Sequence, residues 1–221
     1  MKAIKRIIIW ILALFVGSSV LAVAAYRFIP VYITPLMVIR AIDPQGSEKQ
    51  QERERHWKHQ WVSLDEISQW MPRAVIASED NRFYEHSGFD VKEIKKAIEE
   101  SKKGKRNRGA STISQQTAKN VFLWPNHSWV RKGLETYFTF LIELMWSKDR
   151  IMEVYLNSIE MGGGIYGVEA ASQYYFNCPA SKLTKRQAAL IAVSLPAPLR
   201  FDPAHPSGYL NKRVATISRW M

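Results

Sequence analysis

Cysteine is nearly missing from this sequence. Cys178 stands alone, so no intramolecular disulfide can form and neither a thiolate-ligated zinc site nor a disulfide scaffold can be built. Strand signals are sparse and no internal repeat is visible. Low-complexity sequence is confined to one basic run, and 47% hydrophobic with 23% charged residues is a globular rather than a disordered composition. At 221 residues the chain is too short for two ordinary domains plus linkers, so one catalytic or binding unit is expected. Acidic residues are the minority, 20 against 31 Lys+Arg, for a net charge of +11. That field favours polyanions, phosphorylated ligands or an anionic membrane surface, without choosing among them.

Charge is absent altogether from residues 7–26, IIIWILALFVGSSVLAVAAY. A helix of about 20 such residues spans the roughly 30 Å of a bilayer core. Lys2, Lys5 and Arg6 precede it, and the positive-inside bias puts the N-terminus in the cytoplasm and everything after Arg27 outside. The alternative is a cleaved signal peptide, since Ala22-Val23-Ala24 resembles a cleavage site, although the apolar run exceeds the ~7–15 residues of a signal core. Either way the domain is exported. The expected division is a cytoplasmic 1–6, a transmembrane helix over 7–29, an interfacial segment and connector over 30–61, and a folded domain over 62–221.

Pro30 and Pro35 keep the apolar stretch 28–42 from continuing the first helix, and it is expected at the membrane interface. The charged stretch 46–61 reads as a solvated connector. Beyond it helix signals recur: Ser63 with Glu66, Asp90 with Glu93 and Thr184 with Gln187 have capping-box spacing. Val91, Ile94 and Ile98 repeat at helical spacing, as do Val130, Leu134, Phe138, Leu141 and Met145. Each set makes a face that can be buried. The basic run KKGKRNRG over 102–109 is expected to be a loop, either merely solvated or an electrostatic guide for an anionic substrate.

Three clusters carry chemistry. Glu79 and Asp80 close an apolar stretch, where burial would raise a carboxyl pKa toward a value useful for proton transfer, although a solvated helix end gives the same pattern. GASTISQQTAKN over 109–120 opens on a glycine and sets hydroxyls and amides ahead of Lys119. A helix beginning near Ser111 or Thr112 would offer free N–H groups to an anionic or sugar-bearing ligand, with Gln115 and Lys119 sharing a face. On a third helix Arg131, Lys132 and Glu135 form either an ordinary ion pair or the cations and carboxylate that a diphosphate and divalent metal require.

In this order and spacing the clusters resemble glycosyltransferase family 51, within it the monofunctional biosynthetic peptidoglycan transglycosylases. Its E-D-x-x-F-x-x-H-x-G motif spans 79–88, its G-x-S-T-I-x-Q-Q motif 109–116 and its R-K-x-x-E motif 131–135. KDRIMEVYLN over 148–157, GIYGV over 164–168 and RQAALIAVSLPAP over 186–198 extend the match. The resemblance implies a mainly α, lysozyme-like, two-lobed catalytic domain after one N-terminal transmembrane helix, with the smaller lobe touching the membrane.

It also implies a reaction: polymerisation of lipid II into β-1,4-linked glycan, with inversion and loss of polyprenyl diphosphate. Glu79 would be the general base and Glu135 the second essential glutamate, holding cations or a Mg2+ or Mn2+ ion near the diphosphate. Lys119, Arg131 and Lys132 would take the leaving group. Asp80, Phe83, His86, Gly109, Ser111, Thr112, Gln115, Gln116, Asn120, His127 and Asn157 complete the implied substrate-binding set. The implied partners are lipid II, the growing lipid-linked strand, the membrane, and other cell-wall synthesis and division proteins. The location is the bacterial cytoplasmic (inner) membrane, and nucleic acid is not expected. One departure is His127, where many relatives carry arginine, so a permanent cation is replaced by one that titrates near neutrality. The rival readings are a glycan hydrolase of the same shape and an inactive cell-wall scaffold. The basic second and third motifs disfavour the first, because a neutral glycan does not need them. Retention of both glutamates disfavours the second.

Overall fold

The computed structural model describes residues 2–44, 47–104, 111–125 and 128–221. The uncharged run lies within α1 (Lys2–Tyr26), a helix long and apolar enough to cross a membrane, with a mean hydropathy of 2.6 over an 18-residue stretch. Only Ser19 and Val23 of it are buried. The Ser19 hydroxyl lies 2.7 Å from that of Tyr137, Trp146 Nε1 donates to Val23 O at 2.8 Å, and Arg150 donates to the carbonyls of Tyr26 and Ile29. The end of the span is therefore tied to the domain, and the rest is left for lipid.

The prolines act as expected. α1 stops at Tyr26, and α2 (Pro35–Ile42) starts with Pro35 at its first position, where a missing N–H costs nothing, behind a Thr34 cap. The connector does not stay solvated. Residues from it form α3 (Glu48–Arg55), opened by a Ser47/Gln50 capping box, and β1 (Lys58–His59). Glu54 is fully buried, Gln50 Nε2 donates to Leu199 O at 3.0 Å, and the Arg53 guanidinium lies over the Tyr174 ring. Composition misleads here because a charged helix can bury a narrow face against a strand while its other charges stay wet.

After a 3-10 turn at Leu64–Glu66 come α4 (Trp70–Glu79), α5 (Val91–Lys102), α6 (Ile113–Phe122), α7 (Trp129–Met145) and α8 (Lys148–Ser158). Then follow β2 (Glu160–Gly162), β3 (Ile165–Tyr166), α9 (Val168–Phe176), α10 (Lys185–Ser194) and α11 (Gly208–Ile217). The protein is mainly α, with eleven α-helices among the described residues. The small sheet has the order β1-β3-β2, β1 parallel and β2 antiparallel to β3, with Lys58 opposite Ile165.

Two helices are enclosed over most of their length: α8 through Ile151, Met152, Val154, Tyr155 and Leu156, and α10 from Ala188 to Ser194. α4 and α11 pack on α10, while α6 packs on α7 and α8. This stacking sets the C-terminal end of α4 beside the N-terminal half of α6. Phe138 and Leu141 of α7 are buried as the periodicity implies, but Val130 is 70% exposed. Nothing on α5 is buried, and Val91 and Ile98 are more than half exposed. Periodicity created the apolar stripe on α5, but no described element covers it.

Candidate active site

α4 ends at Glu79, with Asp80 as its C-cap. Burial pushes the Glu79 carboxyl above the usual glutamate range; hydrogen bonds from Gln116 and Ser78 and the charge of Arg213 act the other way. Gln116 Nε2 donates to Glu79 Oε2 at 3.1 Å and its Oε1 accepts from the Tyr155 hydroxyl at 3.3 Å. Tyr155 is fully enclosed and held protonated by burial and by the nearby acids. Its O–H therefore fixes the Gln116 amide, which turns its NH2 toward the carboxylate.

Asp80 does different work. Its Oδ2 accepts from the backbone N–H of Ile113 at 3.0 Å, at the buried start of α6, and its oxygens also meet His86 Nε2 at 2.9 and 3.1 Å. A carboxylate at a helix N-terminus gains from the unpaired amides there. Thr112 caps α6 in a box with Gln115 and donates to Gly88 O at 2.6 Å. The first and second motifs are thereby fastened together, and Gln116 and Lys119 face outward from the joint. Thr112 and Gln115 spend their side chains on this cap. Gln116, rather than Gln115, shares the cleft with Lys119.

At the other end of α6, Ser128 caps α7 by accepting from Arg131 N at 3.1 Å. Arg131 donates to Glu135 Oε2 at 2.9 Å and Lys132 to its Oε1. Arg131 and Glu135 are buried, so this is more than the exposed i,i+4 pair that spacing alone suggests. Lys119 lies close by: burial lowers its pKa, Glu135 and Glu160 oppose that, and Arg131 and Lys132 add to it. Gln116, Lys119, Asn120 and Arg131 line one cleft of about 230 Å³, with Leu123, Trp124 and Pro125 on an apolar side. A second hollow, lined by Ser78, Asn81, Arg82 and Arg213, lies against the α4 end that carries Glu79. Arg213 on α11, 3.4 Å from Ser78 Oγ, had no local sequence signal.

Two implied substrate contacts are corrected by burial. Phe83 and Asn157 have no accessible surface, so neither touches a ligand in this conformation. Phe83 packs under Lys148 Nζ, 4.5 Å from the ring centre. Asn157 bonds both the N–H and the C=O of Val62, holding the domain entry to α8. Ser111 is exposed just before the cap. Gly109 and His127 lie outside the described residues, as do positions 105–109 of the basic run. Among the described residues Asp80, His86 and Asp90 bring possible ligand atoms within 4.8 Å. Asp80 is already committed as above, and Asp90 Oδ1 caps α5 while accepting from Arg82.

A desolvated carboxylate joined through one amide to a basic cleft sets a candidate proton acceptor beside a place suited to an anionic group. The sequence matches the transglycosylase family over residues 46–221, and the chain belongs to that family, whose fold is the lysozyme-like one. It is 62% identical over 220 residues to the biosynthetic peptidoglycan transglycosylase of Bacteroides thetaiotaomicron, covering 100% of this chain and 87% of that one. Proteins of the same name from Caulobacter vibrioides and Shigella sonnei are 49% and 52% identical. The matches cover 99% and 96% of this chain, and 91% and 85% of those relatives.

Proposed function

We propose that this chain is a peptidoglycan glycosyltransferase that polymerises lipid II into β-1,4-linked glycan strands, with release of polyprenyl diphosphate, in bacterial cell-wall biosynthesis. Family membership supports the reaction class. The observation that carries the mechanism is Gln116, which bonds Glu79 while lining the basic cleft. Glu79 takes the proton from the acceptor's 4-hydroxyl, presented from the hollow beside Arg213. The acceptor oxygen attacks the anomeric carbon of the lipid-linked strand as the bond from that carbon to the diphosphate breaks, inverting the centre. The electron pair leaves on the diphosphate, whose charge Lys119, Arg131 and Lys132 are pre-placed to receive. Glu135 holds Arg131 and Lys132 in place and acts through them.

A divalent cation, Mg2+ or Mn2+, belongs to this proposal as an ion that arrives with the substrate. The donor set suits that role: Glu135 is a single carboxylate among cations, and Mg2+ is commonly held by one or two carboxylates plus substrate phosphates. Glu135 would offer an oxygen once Lys132, whose side chain is 43% exposed, swings aside. The ion would add to the neutralisation of the leaving group. Lys2, Lys5 and Arg6, ahead of the uncharged run in α1, support a single-pass orientation in the cytoplasmic membrane with the domain outside. Cell-wall synthesis and division proteins at that surface are its expected partners.

The test is polymerisation of purified lipid II by the full-length protein in detergent, read as glycan strands on a gel. Glu79→Gln keeps the shape and removes the base, so the rate should fall by at least ~10²-fold while lipid II still binds. Because the base works only when deprotonated, wild-type activity should be lost on acidification at a pH above that of an ordinary glutamate. Near-normal synthesis by Glu79→Gln, or solubilised muropeptides from sacculi in place of strand growth, would defeat the reading.

A further inference from the structure

The basic cleft has a wall that belongs to neither the second nor the third motif. Leu36 and Arg40 of α2 line it opposite Lys119 and Arg131, together with Glu160 of β2. α2 follows the end of α1 after eight intervening residues and packs on α6, the helix that carries Gln116 and Lys119, with Met37 fully buried. Its place is fixed from both sides, by the Met37 anchor and by the grip of Arg150 on Tyr26 and Ile29.

Arg40 is poorly satisfied there. Its Nε lies 3.5 Å from Glu160 Oε1 without making a hydrogen bond, and that buried N–H has no acceptor. Arg131 Nε, in the same cleft, is likewise without one. A buried guanidinium N–H without an acceptor is costly. Two of them in one cleft mark a place built for an anion that brings its own oxygens. The Glu160 partner is a weak one, since burial pushes its carboxyl up to about 7, with Arg40 and Lys119 opposing and Glu54 reinforcing the rise. Near neutrality it cancels only part of the Arg40 charge.

We propose that Arg40 is a substrate-binding residue, a guanidinium from the segment just after the membrane span that takes a phosphate of the lipid diphosphate alongside Lys119 and Arg131. A planar guanidinium suits this because it can bind two phosphate oxygens at once. The location suits it too: a lipid-linked diphosphate sits at the membrane surface, and Arg40 is the cation of this cleft nearest in sequence to the span. The inference rests on the lipid-diphosphate reading above. The structural alternative is that Arg40 only ties α2 to β2 through Glu160.

The experiment uses the full-length protein in vesicles and compares wild type, Arg40→Ala, Arg40→Lys and Glu160→Gln. KM and kcat for lipid II, competition by polyprenyl diphosphate, and melting temperature are measured for each. Loss of a charge-assisted phosphate contact should raise KM and weaken diphosphate competition by about tenfold or more in Arg40→Ala, with partial recovery in Arg40→Lys. Glu160→Gln removes the tie but leaves the cation, so diphosphate competition should hold or strengthen. Unchanged KM and competition in Arg40→Ala would overturn the assignment, and so would an equal loss in Glu160→Gln, which would make Arg40 a structural tie. Should Arg40→Ala fail to fold, the opposite responses of Arg40→Lys and Glu160→Gln decide. A wild type that polymerises no lipid II and ignores the diphosphate would instead sink the functional reading on which this one rests.

Discussion

Glu160 shows how one buried acid sets a pH dependence. Its carboxyl is raised from 4.5 to about 7 in the fold, chiefly by burial. Below pH 4.5 both folded and unfolded chains carry the proton. Between 4.5 and about 7 the unfolded chain releases it while the folded one keeps it, so stability falls as pH rises through that window, by about 3 kcal/mol in the limit. Glu160→Gln removes the charge and keeps the shape. Its melting temperature relative to wild type should therefore climb between pH 5 and 8, and parallel curves would mean that burial does not govern this acid. Glu79 is also raised by burial, and in the proposed reaction the same desolvation would make it a stronger base. Glu79 and Gln116 were legible because each stands in a motif. Arg213, Arg40 and Glu160 were not, because each meets its neighbours only through contacts between segments far apart in the chain.

The approach of α3 to the turn between β2 and β3 depends on a glycine. Gly164 has φ +69°, and a Cβ there would lie 2.3 Å from the carbonyl oxygen of Arg53 in α3. Gly164→Ala would face both a disfavoured backbone conformation and a backbone clash, so it should cost at least about 2 kcal/mol. Gly104, at the same φ, has open space around it, and Gly104→Ala should cost only about 1 kcal/mol. Thermal unfolding of the two variants, with hydrogen exchange read over α3, separates them. Equal losses would show that the close approach is unimportant. The sequence marked neither outcome, since a charged run of residues reads alike whether it is wet or docked.

For the molecule as a whole, the span and the domain form a joined unit. Removing residues through Tyr26 discards the Ser19, Val23 and Tyr26 contacts to Tyr137, Trp146 and Arg150, but none of the enclosed residues of α8 or α10. The truncated domain should fold with a lower melting temperature. It should also still sediment with anionic vesicles, because Trp129, Val130, Phe140 and Leu144 on α7 and Phe28, Tyr32 and Ile33 before α2 remain exposed beside a basic surface. Raising salt should weaken that binding. A truncated protein that ignores vesicles at low salt would end the interfacial reading of these segments.

The sequence alone determined the membrane-length helix, its break at Pro30 and Pro35, the caps of α5 and α10, and the three motifs around Glu79, Gln116 and Glu135. All of these are short-range patterns: an uncharged run, a missing N–H, a hydroxyl three residues from an amide, residues fixed in spacing along one helix. Only the tertiary structure decided that Asn157 and Phe83 are enclosed, that the charged connector folds onto the domain, that α5 keeps its apolar stripe uncovered, and that Arg40 and Glu160 wall the cleft. Burial depends on what packs against a face, and that partner is supplied by a distant part of the chain, so spacing within one segment cannot encode it.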